Sequence, residues 1–156
     1  MIRPAAIEDA DELARLRWEF RLESKTPATR AREAFVEEMR EFVADVLADG
    51  TAWRAWVAER DGRLVGCVWL QLVERVPHPS LERRERPIAY VTNMYVEPAL
   101  RNAGLGRELL EVAIGFARDR GGAGVVLWPS PRSVPFYERA GFRNEGGPLW
   151  LEVAGD

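Results

Sequence analysis

A chain of 156 residues is long enough for one domain with a real hydrophobic core, and its 47% apolar and 30% charged residues are the profile of a folded globular protein. Twenty-two Lys and Arg against 25 Asp and Glu leave a formal charge of −3, without the basic surplus of a general nucleic-acid binder. The single cysteine, Cys67, excludes an intrachain disulfide and a cysteine-based metal site, and no metal is expected. No apolar run reaches the length of a membrane span, and Met1-Ile2-Arg3-Pro4-Ala5 passes into charged residues without a signal-peptide core. A cytoplasmic chain with no membrane partner is the expectation.

Ile2 to Ala6 reads as a short opening strand. A helix follows from Glu8 to about Leu22, with Leu13, Leu16 and Phe20 near the 3.6 period. A second helix is expected after Thr29 as its N-cap, with Phe35, Met39, Phe42, Val43, Val46 and Leu47 on one stripe and Gly50 just past its end. Trp53 to Glu59 turns at Asp61-Gly62, a hairpin signal, into Leu64 to Val73. Glu74 to Pro87 is a charged, proline-bearing loop, followed by a strand from Ile88 to Val96 that Pro98 stops. Leu105 to about Arg118 reads as an amphipathic helix with Leu109, Val112, Ala113 and Phe116 inside. A buried strand from Val125 to Trp128, a short helix near Ser133 to Ala140 and a closing hairpin through Leu149–Val153 complete the chain. The interleaving predicts one mixed sheet of the α/β or α+β class.

The most informative stretch runs from Met94 to Leu110. A buried strand ends at a proline, a short turn carries two glycines, and a helix begins inside that turn. The first turn of any helix has N–H groups without intrahelical partners, at the positive end of the dipole, so the geometry favours an anion. Gly104 and Gly106 let the backbone approach a pyrophosphate with no Cβ in the way. Arg101 and Arg107 offer charge-assisted contacts. The segment has neither the Gly-Lys-Ser/Thr of a P-loop nor the first glycine of a dinucleotide fingerprint. The same letters also fit a tight turn before a purely structural helix.

The string Val96-x-Pro98-x-x-Arg101-x-x-Gly104-Leu105-Gly106-x-x-Leu109-Leu110 resembles the acetyl-CoA-binding motif of the GNAT superfamily of N-acetyltransferases. Trp128 to Phe142, ending in Tyr137-Glu138-Arg139-Ala140-Gly141-Phe142, resembles its C-terminal motif. Ile2-Arg3-Pro4-Ala5 and Glu8-Asp9-Ala10 match a common family start, so the resemblance spans nearly the whole chain. It implies a single domain over 1–156, with a central mixed sheet of about six or seven strands flanked by about four helices. That sheet is splayed at a bulge on the strand Ile88–Val96. It also implies acetyl-CoA as cosubstrate, its pantetheine arm lying in the gap like an added strand along Met94, Tyr95 and Val96. Amides of Arg101, Asn102, Ala103, Gly104, Leu105, Gly106 and Arg107 would hold the pyrophosphate, with Ser130 and Ser133 on the cofactor side.

By the same resemblance, transfer is direct within a ternary complex. The amine attacks the thioester carbonyl, a backbone N–H near the bulge stabilises the oxyanion, and Tyr137 protonates the departing thiolate. Tyr137 also reads as a core aromatic beside Phe136 and Phe142. Ser130 stands where many relatives carry an asparagine, which departs from the usual pattern. A homodimer is carried over by analogy only.

An attacking amine must lose its proton, so a base or a water chain is needed. Glu74, at a strand end, and Asn93, beside the expected thioester, are candidates for positioning the substrate; Asn93 orients a group and is no base. Glu19 and Glu23, near the first helix–helix junction, are candidates to line an acceptor pocket and attract a cationic amine. Each glutamate also reads as a solvated surface charge, as does Glu97. His78, between two prolines, reads as a surface loop residue and Cys67 as a small core residue. Trp69 or Trp128 is a candidate wall of the acceptor site. The acceptor is a small amine or a protein amino group. Two other readings stay open: a non-catalytic CoA-binding sensory or protein-interaction domain, and a transferase of a longer acyl group.

Overall fold

In the computed structural model, which describes residues 1–23, 28–48, 51–77, 79 and 86–143, the period-two stretches become a sheet of order β1-β2-β3-β4-β5. Strands β1 (Ile2–Pro4), β2 (Trp53–Arg60), β3 (Arg63–Val73) and β4 (Ile88–Val96) pair antiparallel. Asp61 and Gly62 close the β2–β3 hairpin at φ 51° and 74°, the left-handed pair that a two-residue type I′ turn requires. Strand β5 (Gly124–Val126) lies parallel to β4 and so needs a crossover, which helix α3 (Leu105–Asp119) supplies.

Successive side chains of a strand point to opposite faces, and the two cores follow that rule. Cys67 and Trp69 of β3 pack with Leu13 and Leu16 of α1 (Ala10–Glu23) and Val43 of α2 (Arg32–Val46). Val68 and Leu70 face the other way, onto Leu109, Leu110 and Ala113 of α3. Helix α4 (Val134–Arg139) sets Phe136 and Tyr137 against this second core. Gly66 is fixed by close approach, because a Cβ there would stand 2.9 Å from the Tyr95 carbonyl oxygen.

Several sequence expectations shift. A 3₁₀ turn at Ile7–Asp9 precedes α1. Helix α2 has Ala31 as N-cap in place of Thr29, because Ala31 keeps an extended backbone (φ −63°, ψ 141°). On α3 the stripe Leu109–Ala113–Ala117 drifts toward Leu110, leaving Val112 at its edge, 38% exposed. Five strands are present among the described residues, where about six or seven were expected. The closing hairpin, Gly50 and His78 lie outside those residues. Among the described residues, no helix is long and apolar enough to cross a membrane.

The irregularity that positions the site is on β4. Cys67 pairs with Tyr95 but Trp69 pairs with Thr92, so Asn93 and Met94 together oppose Val68 in a β-bulge. Asn93 absorbs the extra residue in a left-handed conformation, φ 45°. Strand β5 follows β4 only from Ile88 to Tyr90. Beyond Tyr90 that edge of β4 has no neighbouring strand among the described residues, and the sheet is splayed there.

Candidate active site

Past β4, a 3₁₀ turn (Pro98–Leu100) and the turn Arg101–Gly104 lead into α3. Asn102 and Gly104 take left-handed conformations, φ 62° and 89°. Turns of this kind form backbone concavities that hold anions. Gly104 is the N-cap and has no side chain to cap with, and the first intrahelical bond runs from Glu108 N–H to the Gly104 carbonyl at 3.1 Å. The N–H groups of Leu105, Gly106 and Arg107 therefore begin without intrahelical partners, at the positive end of a 15-residue helix.

The two arginines of the motif are already engaged. Arg107 bonds Glu111 at 2.7 Å on the exposed side of α3. Arg101 donates from Nε to the Val96 carbonyl at 2.8 Å and from Nη2 to both Glu23 carboxylate oxygens at 2.8 and 2.9 Å. The donors that the turn leaves open to an anion are those of its backbone.

Three elements meet at the bulge. The Tyr137 hydroxyl of α4 points at the Met94 sulfur, 3.6 Å away, a weak acceptor. Its ring packs edge-on against Phe136 and Phe142, at 5.0 and 5.6 Å between centroids. Met94 and Phe136 in turn both approach Gly106, each 3.7 Å from where its Cβ would stand. Burial raises the Tyr137 pKa, so the phenol keeps its proton at neutral pH and is suited to donate it.

The opposite face of the bulge is polar. Arg17 Nη1 donates to Asn93 Oδ1 at 3.0 Å, and the guanidinium carbon lies 5.7 Å from the centre of the Phe20 ring. The Cys67 thiol points at the Asn93 carbonyl, 3.6 Å away, and burial pushes its pKa up to about 12, which removes it as a nucleophile at neutral pH. Nearby, Val73, Ile88, Tyr90, Val126 and Trp128 line an apolar groove of about 540 Å³. Trp128 stands exposed in that groove, edge-on to Tyr90 at 4.9 Å, whereas Trp69 is 2% exposed in the core between Phe42 and Trp53 and walls no site.

The remaining candidates divide. Glu23 ends α1 as a clasp: it accepts the Tyr95 hydroxyl at 2.7 Å, Arg101, and Arg132 at 3.3 Å. Burial works against its charge, but these donors outweigh it and hold its pKa below the usual carboxylate range. Glu19 belongs to a cluster around Arg15, which also bonds Glu12 and Glu97. Glu97, read from sequence as solvent-facing, is only 14% exposed there and also pairs with Arg63, because the turn after β4 brings it under α1. Glu74 is exposed just past β3. Ser130 and Ser133 bond one another, Oγ to Oγ at 3.0 Å, in the exposed turn that leads into α4. Sequence reasoning missed Arg17, although it stands four residues after Leu13 and three before Phe20, on the inward stripe of α1.

The profile of the acetyltransferase (GNAT) family matches residues 10–142. Glucosamine 6-phosphate N-acetyltransferase of Trypanosoma brucei brucei is 30% identical over 104 residues, covering 67% of each chain. Mycothiol acetyltransferase of Thermomonospora curvata is 36% identical over 90 residues, 56% of this chain but 27% of that one. Among solved structures, a GCN5-related N-acetyltransferase from Ralstonia eutropha superposes with a TM-score of 0.80 at 28% identity, covering 99% of both chains. A predicted acetyltransferase with acetyl-CoA from Clostridium acetobutylicum gives 0.83 at 21% identity over 98% of this chain and 96% of that one, a likeness of fold.

Proposed function

This chain belongs to the acetyltransferase (GNAT) family of N-acetyltransferases, whose cosubstrate is acetyl-CoA, and from that premise we propose that residues 1–156 act as one domain passing the acetyl group directly to a primary amine in a ternary complex. The observation that carries this reading is the meeting at one point of the β4 bulge at Met94, the first turn of α3 at Gly106 and the Tyr137 hydroxyl. In this reading the pantetheine arm lies along the edge of β4 beyond Tyr90, on backbone groups of Met94, Tyr95 and Val96. The open N–H groups at the start of α3 support pyrophosphate binding from Asn102 to Arg107.

The neutral amine attacks the thioester carbonyl; the C–N bond forms, the C–S bond breaks, Tyr137 delivers its proton to the sulfur, and the proton given up by the nitrogen returns through water to the phenolate. Its raised pKa suits that role, since a phenol protonated at neutral pH is an acid and not a base. Asn93 positions the amine or a water beside the bulge, and the groove of Tyr90 and Trp128 receives the body of the acceptor. The relative named for glucosamine 6-phosphate supports a small-molecule amine.

Tyr137→Phe tests the mechanism. The variant is expected to bind acetyl-CoA with unchanged affinity by calorimetry while kcat falls by about 10²-fold or more. Unchanged turnover would remove Tyr137 from the proton transfer. Release of no CoA thiol with any amine of a broad panel would favour the non-catalytic CoA-binding reading.

A further inference from the structure

Arg17 is a half-buried cation, and among the described residues no carboxylate pairs with it. The other half-buried arginines are answered: Arg3 by Asp9 and Glu59, Arg15 by three glutamates, Arg101 by Glu23, Arg54 by two backbone carbonyls. A guanidinium carries five donors, and among the described residues only Nη1 of Arg17 makes a hydrogen bond, to the neutral amide oxygen of Asn93. Burial and the neighbouring Arg21 charge lower its pKa, the direction expected of a cation short of counter-charge. Such a group is costly to keep unless a ligand completes it.

Its position is specific. Asn93 is the left-handed residue of the bulge, and Tyr90, close enough to Arg17 to interact with its charge, also lines the apolar groove. The chain as a whole carries a charge of −3, so its overall field does not draw anions and this cation acts locally. Resting on the acetyltransferase reading above, we propose that Arg17 anchors the acceptor, which carries an oxyanion, carboxylate or phosphate, a few bonds from the amine that is acetylated. The planar guanidinium matches either oxyanion through paired N–H donors.

The full chain, assayed by release of CoA thiol, is given two matched pairs of amines. Phenylalanine against phenylalaninamide reads a carboxylate; O-phosphoethanolamine against ethanolamine reads a phosphate. The anionic member of one pair is expected to be favoured about tenfold or more in kcat/KM, with the difference in KM. Arg17→Gln is expected to abolish that preference, the anionic member losing about tenfold more in kcat/KM than the neutral one while acetyl-CoA affinity stays within about twofold; Arg17→Lys retains part of the preference. Equal use of both members by the unaltered chain overturns the proposal, and so does an equal loss on both in Arg17→Gln, the mark of a purely structural arginine. If no amine is turned over, the acetyltransferase reading fails separately, and calorimetry of the same amines with the CoA-saturated chain decides the anchor. Tighter binding of an anionic member, lost in Arg17→Gln, upholds it; indifference overturns it.

Discussion

Gly104 holds φ at 89°, a left-handed conformation that costs an L-residue about 1–2 kcal/mol. Space is not the constraint, since the nearest atom to a Cβ there would be Glu108 Oε1 at 3.9 Å. Gly104→Ala is therefore expected to lose about 1 kcal/mol through backbone strain alone, read as a lower denaturant midpoint at unchanged slope. Relief of that strain would rotate the turn and misdirect the N–H groups of Leu105 to Arg107, so acetyl-CoA should bind more weakly as well. A variant as stable as the parent would contradict the strained turn. In the proposed mechanism Gly104 contributes through its backbone, whereas Tyr137 contributes a single proton.

Between elements, the site is held by contacts that sequence spacing does not display. Glu23 joins the end of α1 to Tyr95 on β4, 72 residues on, and to Arg101 in the turn before α3, 78 residues on. In this arrangement the Arg101 charge is already taken, and under the proposed cofactor placement a pyrophosphate would compete with a carboxylate for it. Glu23→Gln weakens that competitor. The expected result is acetyl-CoA binding tightened several-fold at low salt, with stability lowered by about 1 kcal/mol because the half-buried clasp is loosened. Weaker binding would mean that Glu23 serves to orient Arg101 toward the ligand. The same distinction explains what the sequence disclosed. The helix stripes of Leu13–Leu16 and Leu109–Ala113, the Asp61-Gly62 hairpin and the Gly104 turn all rest on local periodicity or local backbone need, and each is where it was expected. The bulge came only through family resemblance, since no letter in Ile88–Val96 marks an inserted residue apart from an asparagine, which tolerates φ above zero. Arg17 was not legible from sequence because its significance lies in what faces it across the fold, where among the described residues no carboxylate pairs with it.

Across the molecule, the charged groups form arginine–carboxylate clasps that tie distant parts of the chain together. Arg3 fixes the opening strand to Asp9 and Glu59, Arg15 gathers Glu12, Glu19 and Glu97, and Arg101 holds Glu23. Hydrogen bonds from Arg3 lower the pKa of Asp9 against the effect of burial, and those from Arg15 do the same for Glu12; in Glu23, burial is outweighed by Tyr95 and Arg101. A carboxylate whose folded pKa lies below its unfolded value contributes stability that is fully present above the unfolded value, about 4, and is lost as pH falls through the folded value. Each proton taken up on unfolding steepens that loss by about 1.4 kcal/mol per pH unit. Stability measured by urea at a series of pH values should thus be governed little by these groups from pH 7 down to about 5, and fall steeply below about 4. Asp9→Asn should begin from a lower plateau and fall with a shallower slope, because one linked proton is gone while the Arg3 clasp is weakened. A slope below pH 4 identical to that of the unaltered chain would show that Asp9 titrates alike in both states, and the Arg3–Asp9 pair would then contribute to geometry without contributing to stability.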